Sequence, residues 1–501
     1  MTMGYNIIDD ILFSEPLHVI ERKLRSSRKD SFDPEDRIVI TQDTPDTYAY
    51  IDAAGIKLID IQKIINSVDI SNCFVLLKTT NPEIKAEIDF VTKFYSSDPT
   101  PINFLITDGD YTKKIIKYSN TACKKMWNHL YIGTDGNINP CCLADHRFPL
   151  GNINQDSIDN ILQSDKAIKI RNWMAQGYRS IACETCYSKE DRNIDSARQP
   201  CNASTEIFAI DSLDIRIDNI CNFKCRMCSE YFSSAIQQET IELYGKNAIL
   251  GIEQNTLTRF SKTEKNFFLH KVAPYLTNSL KKIYFAGGEP LIADAHYQLL
   301  DRLLEIDNTN LKISYSTNLS KLKYKNLDAI EYWNQFKNVV VNASIDASGK
   351  VAEYVRHGTV WQDILDNIDH IKKHSPQVHL KIASTVGFLN VTNLIELQTQ
   401  WIRHAIFDKD DLTVNVLTDP VFLSVAALPR HHKEKLFLSI AQHIDWLGPS
   451  NLAYQWQNVI KFMNNNDYTY TLGDFKSRTK ILDSHRGESF TQIFPEFQDL
   501  C

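Results

Sequence analysis

Short apolar runs alternate with amphipathic stretches through the second half of the chain. Six runs, at 212–218, 281–286, 311–317, 338–345, 378–386 and 412–418, have the length and the β-branched and aromatic content of strands. The segments between them read as helices; Trp361, Ile364, Leu365, Ile368 and Ile371, for instance, share one face at a 3.6-residue period. Strands that alternate with helices predict parallel pairing through right-handed crossovers, so residues 206–420 are expected to form an α/β partial barrel of six units. Parallel barrels gather their ligands at the carboxyl ends of the strands, so the residues just after each run are the first candidates for chemistry.

The flanks read differently. Residues 1–118 suggest a second α/β unit, with strands at 37–41, 73–78 and 102–107 and helices at 58–68 and 83–95. No catalytic pattern falls there, so this unit is either a recognition or docking module or a plain structural extension. Residues 119–205 hold a hairpin at 130–136 and a helix at 157–175. The tail, 421–501, predicts helices at 432–447 and 452–463 and a charged run from Asp474 to Arg478; it either caps the barrel mouth or packs outside it, and packing is the expectation.

Directly after the first barrel strand comes Cys221-Asn222-Phe223-Lys224-Cys225-Arg226-Met227-Cys228. With 11 cysteines in 501 residues this CxxxCxxC spacing arises by chance in about five of a thousand such chains, so it calls for a chemical reason. Three thiolates can hold an iron-sulfur cluster and leave one iron without a protein ligand. Zinc would want a fourth N or S ligand, and none lies close enough along the chain to complete a site locally. The second strand is followed by Gly287-Gly288-Glu289-Pro290, where glycines permit close backbone approach and the carboxylate can take an ammonium. Ser316-Thr317-Asn318 and Ser344-Ile345-Asp346 close the next two runs. Each alone is an ordinary turn or cap. Their recurrence at strand ends favours a shared site.

A second constellation precedes the first. Cys123, the Pro140-Cys141-Cys142 run after the hairpin, and Cys183-Glu184-Thr185-Cys186 supply four thiolates that can close a complete site. Cys123, Cys141, Cys183 and Cys186 are the expected ligands, with Cys142 competing for the place of its neighbour. Spacing alone leaves iron-sulfur and zinc both open.

The triad and the Gly287-Gly288-Glu289-Pro290 turn resemble the cluster and GGEP motifs of the radical S-adenosylmethionine (SAM) superfamily. Residues 119–205 resemble the twitch domain, the shortened relative of the SPASM domain. The matching features are Cys123 with Trp127, Asp135-Gly136 before Pro140-Cys141-Cys142, Gly151-Asn152, Ile170-Arg171, and Cys183 and Cys186 followed by Tyr187. A twitch segment usually follows the barrel; here it comes first. The resemblance implies a partial (β/α)6 TIM barrel with a 4Fe-4S cluster on Cys221, Cys225 and Cys228, SAM on the open iron, and an auxiliary 4Fe-4S cluster, zinc being the alternative. It places Gly287, Gly288 and Glu289 at the methionyl ammonium, Ser316 and Asn318 at the ribose or carboxylate, and Ser344 at a substrate-facing strand tip. Met227 would lie against adenine and Arg356 against the SAM carboxylate. Asp346 and Asp419, at strand ends, are the candidates for acid-base work. The implied reaction is reductive cleavage of SAM to a 5'-deoxyadenosyl radical and hydrogen abstraction from a substrate, in the manner of enzymes that oxidatively modify a peptide. Dehydrogenation of a small sugar or cyclitol, and a non-catalytic iron-sulfur scaffold or partner-binding protein, are the alternatives. An electron donor such as flavodoxin or ferredoxin is implied as partner.

Composition narrows the setting. A hydrophobic content of 43%, a charged content of 23% and a net charge of −7 describe a globular chain, and the lack of a basic run disfavours nucleic acid as substrate. No apolar run is long enough to span a bilayer, and residues 1–13, interrupted by Asp9 and Asp10, do not read as a signal peptide. A cytoplasmic location is expected, where cysteines serve as metal ligands. Walker A, HExxH and GxSxG patterns are missing. The His431-His432 pair is expected to be solvated, and Cys73, Cys142, Cys201 and Cys501 receive no role.

Overall fold

The computed structural model describes residues 121–501 apart from 147, 176, 178, 192–194, 202–207 and 250–265, together with the backbone of four short strands among the first 120 residues. Two compact units emerge, one of residues 1–131 with 137–210 and one of residues 132–136 with 211–501.

In the first unit, β1 (Ile38–Ile40), β2 (Tyr48–Asp52), β3 (Phe74–Lys78) and β4 (Leu105–Thr107) form a sheet in that order. β1 runs antiparallel to β2, and the other pairs are parallel. Three of these strands match the apolar runs; β2 does not, because Ala49 and Asp52 carry little strand propensity and pairing on both edges defines it. The helices expected at 58–68 and 83–95 lie outside the described residues.

The cysteine-rich part of this unit opens with α1 (Lys125–Asn128) and β5 (His129–Ile132), followed by β6 (Asn137–Asn139) and β7 (Gly151–Asn152), which pair antiparallel. The helix expected at 157–175 is two helices, α2 (Ile158–Leu162) and α3 (Asp165–Ala175). Ser164 makes the break: its hydroxyl donates to the Ile161 carbonyl and accepts from the Ala167 amide, ending one helix and opening the next. α4 (Glu184–Asp191) carries Cys186 and the buried Tyr187.

The second unit is built on β8 (Ser212–Arg216), β10 (Lys282–Ala286), β11 (Lys312–Thr317), β12 (Asn338–Ala343), β14 (His379–Val386) and β15 (Leu412–Val416), paired in sequence order and all parallel. β9 (Lys224–Cys225) and β13 (Arg356–His357) form a small antiparallel pair of their own. Register lines up apolar side chains across the sheet, as in the row Ile215, Phe285, Tyr315, Val341 and Leu380, every one buried. Alternate residues of β11, β12 and β14 are less buried. One face of each strand is therefore core while the other faces the interior of the curved sheet.

Helices α5 (Ser234–Tyr244), α6 (Asp294–Glu305), α7 (Gly349–Val355), α8 (Trp361–His374) and α9 (Val391–Arg403) lie between strands in sequence. In α8 the buried residues are Ile364, Ile368 and Ile371, three positions of the predicted stripe. The tail folds into α10 (Arg430–Leu447), α11 (Asn451–Asn465) and α12 (Leu472–Arg486). α11 covers the edge of the sheet: Gln455 accepts the Val414 amide of β15 at 2.6 Å, and Trp456 donates to Gln398 of α9 at 2.9 Å. Among the described residues no helix is long and apolar enough to cross a membrane.

Candidate active site

The cysteine triad occupies the loop between β8 and α5, and backbone contacts fix that loop along its length. Asp218, buried, accepts the Ile220 amide at 2.9 Å. Ser233 caps α5 through the Ile236 amide while donating to the Phe223 carbonyl at 2.8 Å, so one hydroxyl secures both the helix and the loop. Cys225 pairs with Arg356 across β9 and β13, and the Arg226 amide donates to the Val355 carbonyl at 2.9 Å. The Arg226 guanidinium meets Asp483 and Glu488 and lies 3.7 Å from the centre of the Tyr354 ring. Asn222 bonds to both Asn318 and Ser320, beyond the end of β11.

The turn after β10 closes on the same loop. The Gly288 and Glu289 amides donate to the carbonyls of Asp218 and Ile220 at 3.1 and 2.7 Å. A Cβ on Gly288 would stand 2.1 Å from the Ile220 oxygen, and Gly287 has φ +118°, so side chains are excluded at both positions. This turn therefore sets the approach to Cys221.

Around these elements lies a cavity of about 780 Å³ at the carboxyl ends of the strands. Cys221, Cys225, Cys228 and Met227 line one side, and Gly287, Gly288, Ser316 and Asn318 another. Ser344, Arg356 and Asp419 complete the expected residues that reach it. Ser316 shares a 2.5 Å hydrogen bond with the Tyr284 hydroxyl, and Asp419 is exposed.

Two expected residues stand behind the wall rather than on it. Glu289 is buried, and its carboxylate accepts from the Thr317 hydroxyl at 2.6 Å and from the Asn318 and Leu291 amides at 2.7 and 3.2 Å. Burial pushes its carboxyl up to about 7 in spite of these donors. Asp346, also buried, holds Arg356 at 2.5 Å and accepts the Thr385 amide at 2.7 Å. Arg356 in turn donates to the Cys225 sulfur at 3.7 Å. These bonds commit both carboxylates to fixing strand ends. Burial also raises the Cys221 thiol to about 12, so ligation there must displace a proton.

Of the two readings of the tail, capping the barrel mouth or packing outside it, the less favoured one applies to its last long helix. Arg478, Thr479, Leu482 and Arg486 of α12 line the cavity, so the expectation that the tail merely packs outside holds for α10 and α11 and fails for α12. The spacing of 478, 482 and 486 marks one helical face, the signal that charge content masked. Leu243 and Tyr244 of α5 and Phe422 add apolar lining. Of the His431-His432 pair expected to be solvated, His431 is exposed and His432 is not. His432 is buried, and their Nε2 atoms face Asp499 at 3.2 and 2.9 Å.

In the first unit, Cys123, Cys141, Cys183 and Cys186 surround one small cavity that Cys142 does not line. The Asp145 amide donates to the Ala182 carbonyl, joining the turn after Cys141 to the segment before Cys183. Tyr187 donates to the Thr121 carbonyl at 2.8 Å, and Arg198, paired with Glu190, donates to the Ala122 carbonyl at 3.0 Å. Burial and the neighbouring thiols push Cys183 well above the ordinary range, while the Arg198 charge acts the other way.

The donor chemistry fits iron-sulfur clusters at both places: three thiols at the triad leave one iron without a protein ligand, and four thiols around the smaller cavity make a complete set.

Residues 123–187 match the model of SPASM, an iron-sulfur cluster-binding domain, and residues 215–393 match that of the radical SAM superfamily. No curated protein matches the chain. Among solved structures, native anSMEcpe with bound AdoMet is similar at 18% identity and TM-score 0.29, over 51% of this chain and 62% of that one. The chain thus spans about three fifths of that relative. TYW1 with a lysine-pyruvate adduct bound is similar at 12% identity and TM-score 0.25, over 47% of this chain and 72% of that one. The chain carries a radical SAM domain preceded by an iron-sulfur domain of the SPASM group, and the cofactors such domains use are 4Fe-4S clusters and SAM.

Proposed function

We propose that this protein is a radical SAM oxidoreductase or maturase that oxidatively modifies a peptide, by crosslinking, dehydrogenation or a related step. The single cavity that joins the three triad cysteines to the ends of β10, β11, β12 and β15 carries this reading. Cys221, Cys225 and Cys228 would hold the first cluster, which together with SAM would supply the chemistry of hydrogen-atom abstraction from substrate. Gly287 and Gly288 present backbone to the methionyl group, with the Glu289 carboxylate fixed behind them. Ser316, Asn318 and Ser344 position the remainder of SAM, and Met227 packs on its adenine. Asp346 orients Arg356. Asp419, exposed at the rim, is the carboxylate available to move a substrate proton.

Cys123, Cys141, Cys183 and Cys186 hold the auxiliary cluster, whose four protein ligands leave electron exchange as its role. The volume of about 780 Å³ and the Leu243, Tyr244 and Phe422 lining suit a peptide better than a compact sugar. Reduction would come from a flavodoxin or ferredoxin in the cytoplasm. The test is anaerobic incubation of the reconstituted protein with SAM, reductant and candidate peptides deuterated at side-chain carbons. Deuterium in 5'-deoxyadenosine and loss of mass from a peptide are expected. Transfer only from a sugar or cyclitol would overturn the peptide assignment.

A further inference from the structure

Two guanidiniums line the cavity beside the triad, Arg356 from the middle of the unit's sequence and Arg486 from its tail. Arg356, from β13, is 15% exposed at its side chain, is held by Asp346 and donates through Nη1 to the Cys225 sulfur at 3.7 Å. Arg486, the last residue of α12, is 2% exposed at its side chain and is gripped by Glu239 through bonds of 2.8 and 2.6 Å. Glu239 also takes the Lys224 ammonium at 3.1 Å, which places Arg486 one carboxylate away from the residue before Cys225.

Stability does not account for this arrangement. Buried ion pairs return little net free energy against apolar replacements of equal volume, because desolvation offsets their attraction. Arg486 Nη1 is moreover buried with no hydrogen-bond partner in the protein, a cost that a ligand acceptor would relieve. Hydrogen bonds to sulfur and local net charge are the levers by which a protein sets an iron-sulfur potential. An added electron makes the cluster more negative, so N–H donors and positive charge at Cys225 favour the reduced form.

We infer that Arg356 and Arg486 are positioning residues that raise the reduction potential of the cluster on Cys221, Cys225 and Cys228, making helix α12 part of the redox site. The inference rests on the radical SAM reading. The step concerned is a one-electron gain by the cluster from an external reductant, with no bond made or broken in the protein.

Redox titration of the reconstituted full chain, followed by electron paramagnetic resonance, tests it. The signal that changes on addition of SAM identifies this cluster. In Arg356→Gln and in Arg486→Gln the reduced-to-oxidised ratio at a fixed potential should fall about tenfold, a shift of about 59 mV for one electron, with the auxiliary signal unmoved. Arg356→Lys and Arg486→Lys, which keep the charge, should restore part of it. Asp346→Asn and Glu239→Gln remove the counter-charges and should move the ratio the other way; they decide the matter if the Arg→Gln variants fail to load iron. An unchanged ratio in loaded variants of both kinds would overturn the inference. Absence of any SAM-responsive cluster in the unsubstituted protein would instead overturn the reading beneath it.

Discussion

Gly288 links sequence to chemistry in a single position. A Cβ there would meet the Ile220 oxygen at 2.1 Å, one residue before the first cluster cysteine. Gly288→Ala should cost about 1–3 kcal/mol, the range for forced overpacking, and lower SAM cleavage at least tenfold. Urea unfolding and a 5'-deoxyadenosine assay read the two effects, and a variant normal in both would remove this turn from the site. His296 and His443 concern stability alone. Burial lowers them to about 3 and about 4, so in the folded chain both stay neutral while the unfolded chain takes up protons below about 6.5. Their contribution is present above that value and is lost as pH falls toward the folded values, at up to about 1.4 kcal/mol per pH unit for each. Glu289 and Asp218, each raised to about 7, work in the opposite sense, so the difference between proteins is the clean quantity. The urea midpoint should drop less between pH 7 and pH 5 in His443→Gln than in the unsubstituted chain; parallel drops would contradict the assignment. Cys221, Cys225, Cys228, Gly287 and Gly288 were legible because local spacing encodes them. The buried partners of Arg356 were not, since Asp346 and Cys225 meet it only through strand pairing and loop packing.

At the scale of elements, the apolar runs anticipated all six barrel strands to within a few residues, for period and length alone define a buried parallel strand. Two misreadings have local causes. Ser164 splits a helix that hydrophobic period left continuous, and β2 draws its identity from neighbours on both edges. The N-terminus of α5 carries a functional load as well as a structural one. Ser233→Ala removes both the cap on Ile236 and the donor to Phe223, which should cost about 1–2 kcal/mol and weaken iron retention at the triad. Iron analysis after exposure to a chelator would show faster loss than in the unsubstituted protein. Equal retention would mean that the backbone pairing of β9 with β13 suffices to hold the loop.

For the whole molecule, the sequence indicated two cysteine centres and a barrel between flanking segments, and it left the tail either to cap the barrel mouth or to pack outside it. Charge content along α12 reads as a solvated helix, and only the folded chain places 478, 482 and 486 on the cavity wall. Two clusters predict about eight irons per chain, falling to about four when Cys221, Cys225 and Cys228 are replaced by Ala. The central claim is that the triad cavity cleaves SAM. Anaerobic protein with both clusters loaded, given SAM and dithionite, should release 5'-deoxyadenosine and methionine, and the triple Cys→Ala protein should release neither. Intact, fully loaded protein that forms no 5'-deoxyadenosine under these conditions would contradict the account.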